Sequence, residues 1–120
     1  MATTITDAVT LEPGIADAIV TALGANCQLE FYNSGDTEIA TCATGTATKN
    51  TATSPDSVDI ASLSNDTADA GTCTYAVLAT SGGTEIIRFD DPVNDIGLTS
   101  AVFSAGQTIS VTSLSVTVPA

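Results

Sequence analysis

Apolar residues follow a helical spacing near the N-terminus and an alternating spacing over most of the remaining chain. The first pattern predicts one short helix over residues 15–23, preceded by Pro13 and ended at Gly24. A helix of this length is marginal alone, so it must dock on another element. Its predicted apolar face, at positions i, i+4, i+7 and i+8, consists of Ile15, Ile19, Ala22 and Leu23.

The period changes to two directly after the helix, which is typical of a half-buried strand. Residues 27–33 alternate between two faces, and Asn33–Asp36 forms a turn because Asn and Gly tolerate positive φ. Residues 37–43 then return as the hairpin partner. One face of the first strand carries Cys27, Leu29 and Phe31, and the other carries Gln28, Glu30 and Tyr32.

Further short strands and turns fill the rest of the chain. Residues 43–54 contain no large apolar side chain and predict a loop or a weak edge strand. In the predicted strand 72–80, one face carries Cys73, Tyr75, Val77 and Ala79. Leu78 lies on the other face, which indicates that both faces of this strand are partly buried. The other predicted strands are 57–63, 85–89, 96–98, 101–103 and 108–118, with a loop at 64–71 and a hairpin turn at 81–84.

The last predicted strand changes phase. Ile109 and Val111 are two residues apart, whereas Leu114 and Val116 follow the opposite parity. A strand changes faces only through an extra residue or a bend, so a bulge is expected near Thr112 and Ser113. Strands that cross between two packed sheets do this at corners.

Together these elements predict a mainly β protein. We expect an antiparallel β-sandwich, jelly-roll-like, with one short N-terminal α-helix. The chain has no internal repeat and no linker, so residues 1–120 form one domain. Residues 1–12 lack periodicity and are expected to extend as an N-terminal arm that contacts a neighbouring subunit.

Charge and composition remove several function classes. Fourteen acidic residues face only Lys49 and Arg88, giving a net charge of −12, and there is no His. Nucleic-acid binding needs several Lys or Arg side chains, and two are too few. Catalysis by His and metal ligation by His are excluded because the chain has no His. The chain has three widely spaced cysteines without a CxxC pair, Cys27, Cys42 and Cys73, which are expected to be buried, reduced thiols. No segment predicts a signal peptide or a membrane span.

Two acidic segments, residues 90–95 and residues 65–69, are the candidates for chemistry. The first could hold a hard cation such as Ca²⁺, but its spacing does not match an EF-hand and Pro92 lies in its middle, so a polar turn closing a hairpin is favoured. The second is interpreted as a solvated turn. The first comprises Asp90, Asp91, Asn94 and Asp95, and the second comprises Asn65, Asp66 and Asp69.

The remaining residues do not predict an enzyme. Paired carboxylates could act in glycoside hydrolysis, but such a site needs an aromatic-lined cleft, and the five aromatic residues are expected in the core. The cysteines have no His base, and the glycines at 82–83 belong to neither a phosphate loop nor a nucleophile elbow. We therefore predict no catalytic residue, no metal and no cofactor. The aromatic residues are Phe31, Tyr32, Tyr75, Phe89 and Phe103.

Both ends of the chain resemble one group of viral proteins. The opening MATTITDA at 1–8, the ADAI at 16–19 and the LEFY at 29–32 are similar to the "TDA…ADAI" helix and "LEFY/LEIR" strand of small virion proteins. The segment AGQTISVTSL at 105–114 is similar to their "AGQTVSVTSLT" ending. These are the capsid decoration (cement) proteins of tailed phages. Residues 44–70 match no part of that pattern.

The resemblance implies a β-sandwich that binds the outside of a phage capsid and stabilises it. The implied partners are the major capsid protein and further copies of the chain, with no nucleic acid and no membrane, on a virion assembled in the host cytoplasm. Attachment is expected to rest on apolar burial and hydrogen bonds, unless the shell supplies basic groups. A phage tail subunit, or a carbohydrate- or receptor-binding module, stays open as an alternative.

Overall fold

The computed structural model describes residues 11–52, 56–111 and 113–117. Within them the chain forms two helices and ten strands. The helices are α1 (Leu11–Leu23) and α2 (Pro92–Ile96). The strands are β1 (Cys27–Tyr32), β2 (Glu38–Asn50), β3 (Ser57–Ala61), β4 (Asp66–Thr67), β5 (Gly71–Thr72), β6 (Tyr75–Ala79), β7 (Glu85–Phe89), β8 (Val102–Phe103), β9 (Thr108–Ile109) and β10 (Ser113–Thr117).

The strands build one large antiparallel sheet and two short ribbons. The six-stranded sheet has the order β10-β3-β2-β1-β6-β7, while β4 pairs with β9 and β5 pairs with β8. The expected mainly β, antiparallel class with a short helix before the sheet is confirmed. The strand order does not establish the jelly-roll arrangement. The sheet is curled, and β2 is shared along its length: its first part pairs with β1 and its last part pairs with β3.

The curl begins in the middle of β2. Leu29 pairs with Cys42, but Cys27 pairs with Gly45, so the register shifts there. Thr44 has a φ of 58°, in the left-handed region. From Thr46 to Asn50, β2 pairs with β3. The segment 43–54, predicted as a loop or a weak edge strand, is therefore a strand up to Asn50, and that strand lies inside the sheet order, so both alternatives are wrong for that part.

Helix α1 packs on the curled sheet at β2, β3 and β7. Ala16 and Leu23 are fully buried, and Val20 packs against the same core. Ala22, which the spacing placed on the apolar face, is exposed. The helix begins at Leu11 because Pro13 is tolerated in a first turn, so residues 11–12 are not part of an extended arm. The rest of the predicted arm, 1–10, lies outside the described residues.

Three other predicted strands differ from the structure. The strand 72–80 is interrupted at Cys73 and Thr74, which separate β5 from β6. Residues 92–96 are helical rather than extended, so the strand 96–98 is wrong. The strand 108–118 divides into β9 and β10, which pair with different strands, as a phase change requires. The bulge expected near Thr112 falls on a residue outside the described ones.

The core lies between the sheet, α1 and the ribbons. Phe31 is fully buried and meets the ring of Phe103 edge to face, with centroids 5.7 Å apart. The three cysteines, Cys27, Cys42 and Cys73, are buried and form no disulfide, and burial raises the pKa of all three thiols. The expected reduced, buried thiols are confirmed.

Candidate functional site

The acidic segment 90–95 is used to build local structure. Asp91 caps α2, its Oδ1 accepting from the Asn94 amide at 3.4 Å and its Oδ2 accepting from Asn94 Nδ2 at 2.7 Å. Asp95 Oδ2 accepts from the Asp91 amide at 3.3 Å, and Asp90 pairs with Arg88. The structure therefore gives these side chains roles in a helix cap and an ion pair, where the sequence favoured a polar turn.

The second acidic segment is a solvated turn only in part, because Asn65 and Asp69 are exposed whereas Asp66 is tied into the structure. Asp66 lies in β4 and is half-buried, and its Oδ2 accepts from the backbone amide of Thr41 at 2.8 Å. The amide of Asp69 donates to the carbonyl of Ile39 at 2.9 Å. These bonds hold the β4–β5 connection against β2. Asp66 thus ties the β4–β9 ribbon to β2, which the solvated-turn interpretation missed because its partner is 25 residues away.

Over the ranges 11–52, 56–111 and 113–117, no group of three or more acidic or cysteine side chains is arranged to hold a metal ion. Across the same ranges, neither helix has the length and apolar character needed to cross a bilayer.

A cleft of about 300 Å³ opens between the α2–β8 loop and the β9 region. Its lining combines apolar side chains with hydroxyl and amide groups. The chief lining residues are Leu98, Ser100, Phe103, Gln107, Ile109 and Val111. No titratable side chain lines it, so the cleft offers hydroxyl, amide and backbone groups rather than acid–base chemistry.

The most organised surface lies on the opposite, outer face of the six-stranded sheet. Tyr32 on β1 and Tyr75 on β6 are register partners, and their rings stack 5.0 Å apart at an interplanar angle of 6°. The Arg88 guanidinium, from β7, lies 3.8 Å from the centre of the Tyr75 ring. We call these three residues the tyrosine ladder. Because β6 lies between β1 and β7, Tyr32 and Arg88 cover opposite faces of Tyr75.

Each member of the tyrosine ladder is fixed by a carboxylate. Tyr32 donates its hydroxyl to Glu30 Oε1 at 2.7 Å, and Tyr75 donates to Asp36 Oδ1 at 2.9 Å. Arg88 Nε donates to Asp90 Oδ1 at 2.9 Å. Glu30, which is only 4 % exposed, also accepts from the side-chain amide of Gln28. Buried polar groups with partners of this kind hold one conformation.

These contacts set the electrostatics of the surface. The hydrogen bond to Glu30, with burial and the nearby charge of Glu38, raises the pKa of the Tyr32 hydroxyl well above its ordinary value. Desolvation and the hydrogen bond to Asp36 raise the pKa of Tyr75. The hydrogen bond to Asp90 raises the pKa of Arg88. Both tyrosines are therefore neutral donors and Arg88 is a fixed cation at neutral pH.

The sequence placed all five aromatic residues in the core, which is correct for the three phenylalanines and wrong for Tyr32 and Tyr75. Both tyrosines are half-exposed. Alternation did put Tyr32 on the face opposite Phe31, so the signal was present in that strand. The stacking partner could not be found, because the pairing of β1 with β6 brings together residues 43 positions apart in the chain.

The tyrosine ladder is suited to recognition. Tyr and Arg are the residue types that contribute most to protein interfaces, and rigid side chains lose little entropy on binding. Comparisons of this chain with protein-family models, with curated proteins and with solved structures gave no match.

Proposed function

We propose that this protein is a non-enzymatic virion protein that binds the outside of a tailed-phage capsid and stabilises it. The observation that carries the proposal is the resemblance of both chain ends to decoration proteins. Residues 1–8 lie outside the described residues, and the other matched segments fall on α1, on β1 and on the stretch that leads through β9 into β10. These elements span the helix and the sheet rather than one local motif.

The use of the polar side chains supports the proposal. Of the carboxylates that the sequence singled out as candidates, Asp91 caps a helix, Asp66 ties β4 to β2 and Asp90 holds Arg88. Lys49 pairs with Asp17 of α1, its Nζ 3.0 Å from Oδ1. A body whose charged groups are engaged in this way, with a tyrosine ladder on one face, is suited to binding another protein surface.

The test is the location of the protein in particles of the phage that encodes it. Heads and tails are separated on a density gradient, and the chain is quantified in each by mass spectrometry. We expect it in the heads, and we expect heads lacking it to lose DNA at a lower temperature. Absence from intact particles would contradict the proposal, and presence in tails alone would replace it with the tail-subunit alternative.

A carbohydrate-binding module would need an aromatic face free to stack on a sugar ring. Both faces of Tyr75 are covered, by Tyr32 and by Arg88. Tyr75 therefore offers a sugar no open ring face, and the ladder presents only the Tyr32 face that is turned away from Tyr75. The negative charge of Glu38 near that face favours a basic protein surface over a neutral glycan.

The proposed partners are the major capsid protein and further copies of this chain. Sedimentation velocity of the purified protein measures whether copies associate before they meet the shell. We expect an oligomer, and a monomer at every concentration used would restrict the proposal to attachment of single copies.

A further inference from the structure

The two ends of the tyrosine ladder differ in one respect. At the β7 end, the guanidinium of Arg88 lies on a Tyr75 face and is held by the carboxylate of Asp90. At the β2 end, the Tyr32 face turned away from Tyr75 lies on the side of Glu38, its register partner on β2. Glu38 is exposed, and its charge is near enough to raise the pKa of Tyr32. The β2 end thus brings a tyrosine and a carboxylate together on neighbouring strands, and the Glu38 carboxylate also accepts a hydrogen bond from the Thr41 hydroxyl.

The chain has no side-chain cation of its own for the β2 end. Its two basic residues are Lys49 and Arg88, and both are paired, with Asp17 and Asp90. A guanidinium is attracted to a tyrosine face by the ring quadrupole and to a carboxylate by bidentate hydrogen bonding. A cation that lies between Tyr32 and Glu38 must therefore come from another molecule.

We propose that the β2 end of the tyrosine ladder, formed by Tyr32 and Glu38, binds an arginine side chain of a partner protein. The bound guanidinium would lie on the Tyr32 ring as the Arg88 guanidinium lies on the Tyr75 ring, and Glu38 would take the place of Asp90. The inference rests on the proposed function for the identity of that partner, which is the shell protein. The inference therefore takes the case that the sequence left open, in which the shell protein supplies basic groups for attachment.

Charge complementarity decides against a second copy as the occupant. The carboxylates that flank the ladder are Glu30, Asp36, Glu38 and Asp90, against one cation. Two copies meeting at this face would oppose carboxylates with carboxylates, and like charges in contact are unfavourable. A basic surface on a different protein meets the ladder with opposite sign.

The first experiment uses N-acetyl-arginine amide as the probe and N-acetyl-citrulline amide as its uncharged control. Ring and backbone signals of the intact protein are followed by NMR, with Tyr32→Phe and Tyr75→Phe assigning the two tyrosines. We expect the arginine probe to shift the Tyr32 ring and the Glu38 amide before other sites, and the citrulline probe to leave both in place. Equal shifts at all acidic residues, or equal shifts by both probes, would overturn the inference.

The second experiment measures binding to phage heads that lack the protein. Tyr32→Leu removes the ring, Tyr32→Phe keeps it, and Glu38→Gln removes the charge. Glu85→Gln is the matched control, because it removes one exposed charge on β7, at the end where Arg88 already lies. Folding of every variant is checked by circular dichroism.

We expect Tyr32→Leu and Glu38→Gln to bind heads about 2- to 5-fold more weakly than Tyr32→Phe and Glu85→Gln, the range set by an exposed cation–π contact. If Tyr32→Leu fails to fold, the difference in head binding between Glu38→Gln and Glu85→Gln tests the same site. Equal weakening by both charge removals would mean general electrostatics and would overturn the site. Failure of the wild-type protein to bind heads would contradict the proposed function alone, because the arginine titration still decides the site.

Discussion

Strand β1 presents two faces of very different chemistry, and each is ordered. Its inner face carries Cys27, Leu29 and Phe31, all fully buried in the main core. Its outer face carries Gln28, Glu30 and Tyr32, joined to one another by hydrogen bonds. The inner face holds the sheet against α1 and the ribbons. The outer face is polar, yet Glu30 is as inaccessible as a core residue.

The difference teaches that alternation identifies a polar face without saying what that face does. On a plain solvent face, side chains are mobile and single substitutions are close to neutral. Here the outer side chains are tied to β6 and β7 through Tyr75 and Arg88. Substitutions on both faces of β1 should therefore have measurable effects, which decrease from the inner face to the outer one.

The largest effect is expected on the inner face. Phe31→Ala removes a fully buried ring and its edge-to-face contact with Phe103, and should lower the free energy of unfolding by about 3–5 kcal/mol. Urea denaturation followed by circular dichroism measures it. Phe31→Leu keeps most of the volume and should cost less. A loss below 1 kcal/mol for Phe31→Ala would place Phe31 outside the core.

A steric change at the same face should have the next largest effect. A Cβ on Gly45 would lie 2.7 Å from Leu63 Cδ2 and 3.0 Å from the Cys27 carbonyl oxygen. Gly45→Ala should therefore destabilise the fold by about 1–3 kcal/mol, the usual cost of overpacking.

Gly14→Ala is the matched control, because nothing lies within 4 Å of its Cβ position in α1. It should stabilise the protein by roughly 0.5–1 kcal/mol, since alanine is the better helix former. Thermal unfolding of both variants checks the pair. If Gly45→Ala were as stable as Gly14→Ala, the close approach of β2 to Cys27 would be contradicted.

A smaller effect is expected on the outer face. Tyr32→Phe removes the donor to Glu30 and should lower the free energy of unfolding by about 1 kcal/mol, measured by urea denaturation at neutral pH. Phe also keeps the ring stacked on Tyr75, so the loss reports the hydrogen bond. If Tyr32→Phe left the free energy of unfolding unchanged, the outer face of β1 would be an ordinary solvent-exposed face, and the prediction would be wrong.

The same bond predicts a pH dependence. The pKa of Tyr32 is raised in the folded protein above its ordinary value of 10.0, chiefly by the hydrogen bond to Glu30. The folded state therefore holds this proton more tightly than the unfolded state. Its contribution to stability is fully present below pH 10.0 and is lost as the pH rises through the folded-state pKa. Stability of the wild type should decline more steeply above pH 10.0 than that of Tyr32→Phe.

Features set by neighbours in the sequence were predictable. The alternation of β1, the Asn33 turn and the Gly24 helix end each depend on contacts within a few residues. Asn33 Oδ1 accepts from the amides of Gly35 and Thr37, which is the local chemistry the turn prediction used. The Gly24 amide donates to the Val20 carbonyl at 3.1 Å.

Features set by distant partners were not predictable. The bend of β2 at Thr44 has no apolar signal, and α2 was hidden because Asp91 and Asn94 also fit a turn. The tyrosine ladder requires the register between β1, β6 and β7, which alternation within one strand does not contain. For the same reason the sequence placed Tyr75 in the core and the structure places it on the outer face.

The central claim is that the outer face of the sheet is a fixed recognition surface built on the tyrosine ladder. Arg88 is the chain's only arginine, so its Nε–H gives one side-chain NMR signal that needs no sequence assignment. The account predicts a signal displaced by the Tyr75 ring current, protected from solvent exchange by Asp90, and restored to the free-arginine position by Tyr75→Leu. A signal already at the free-arginine position in the wild type, and unmoved by Tyr75→Leu, would contradict it.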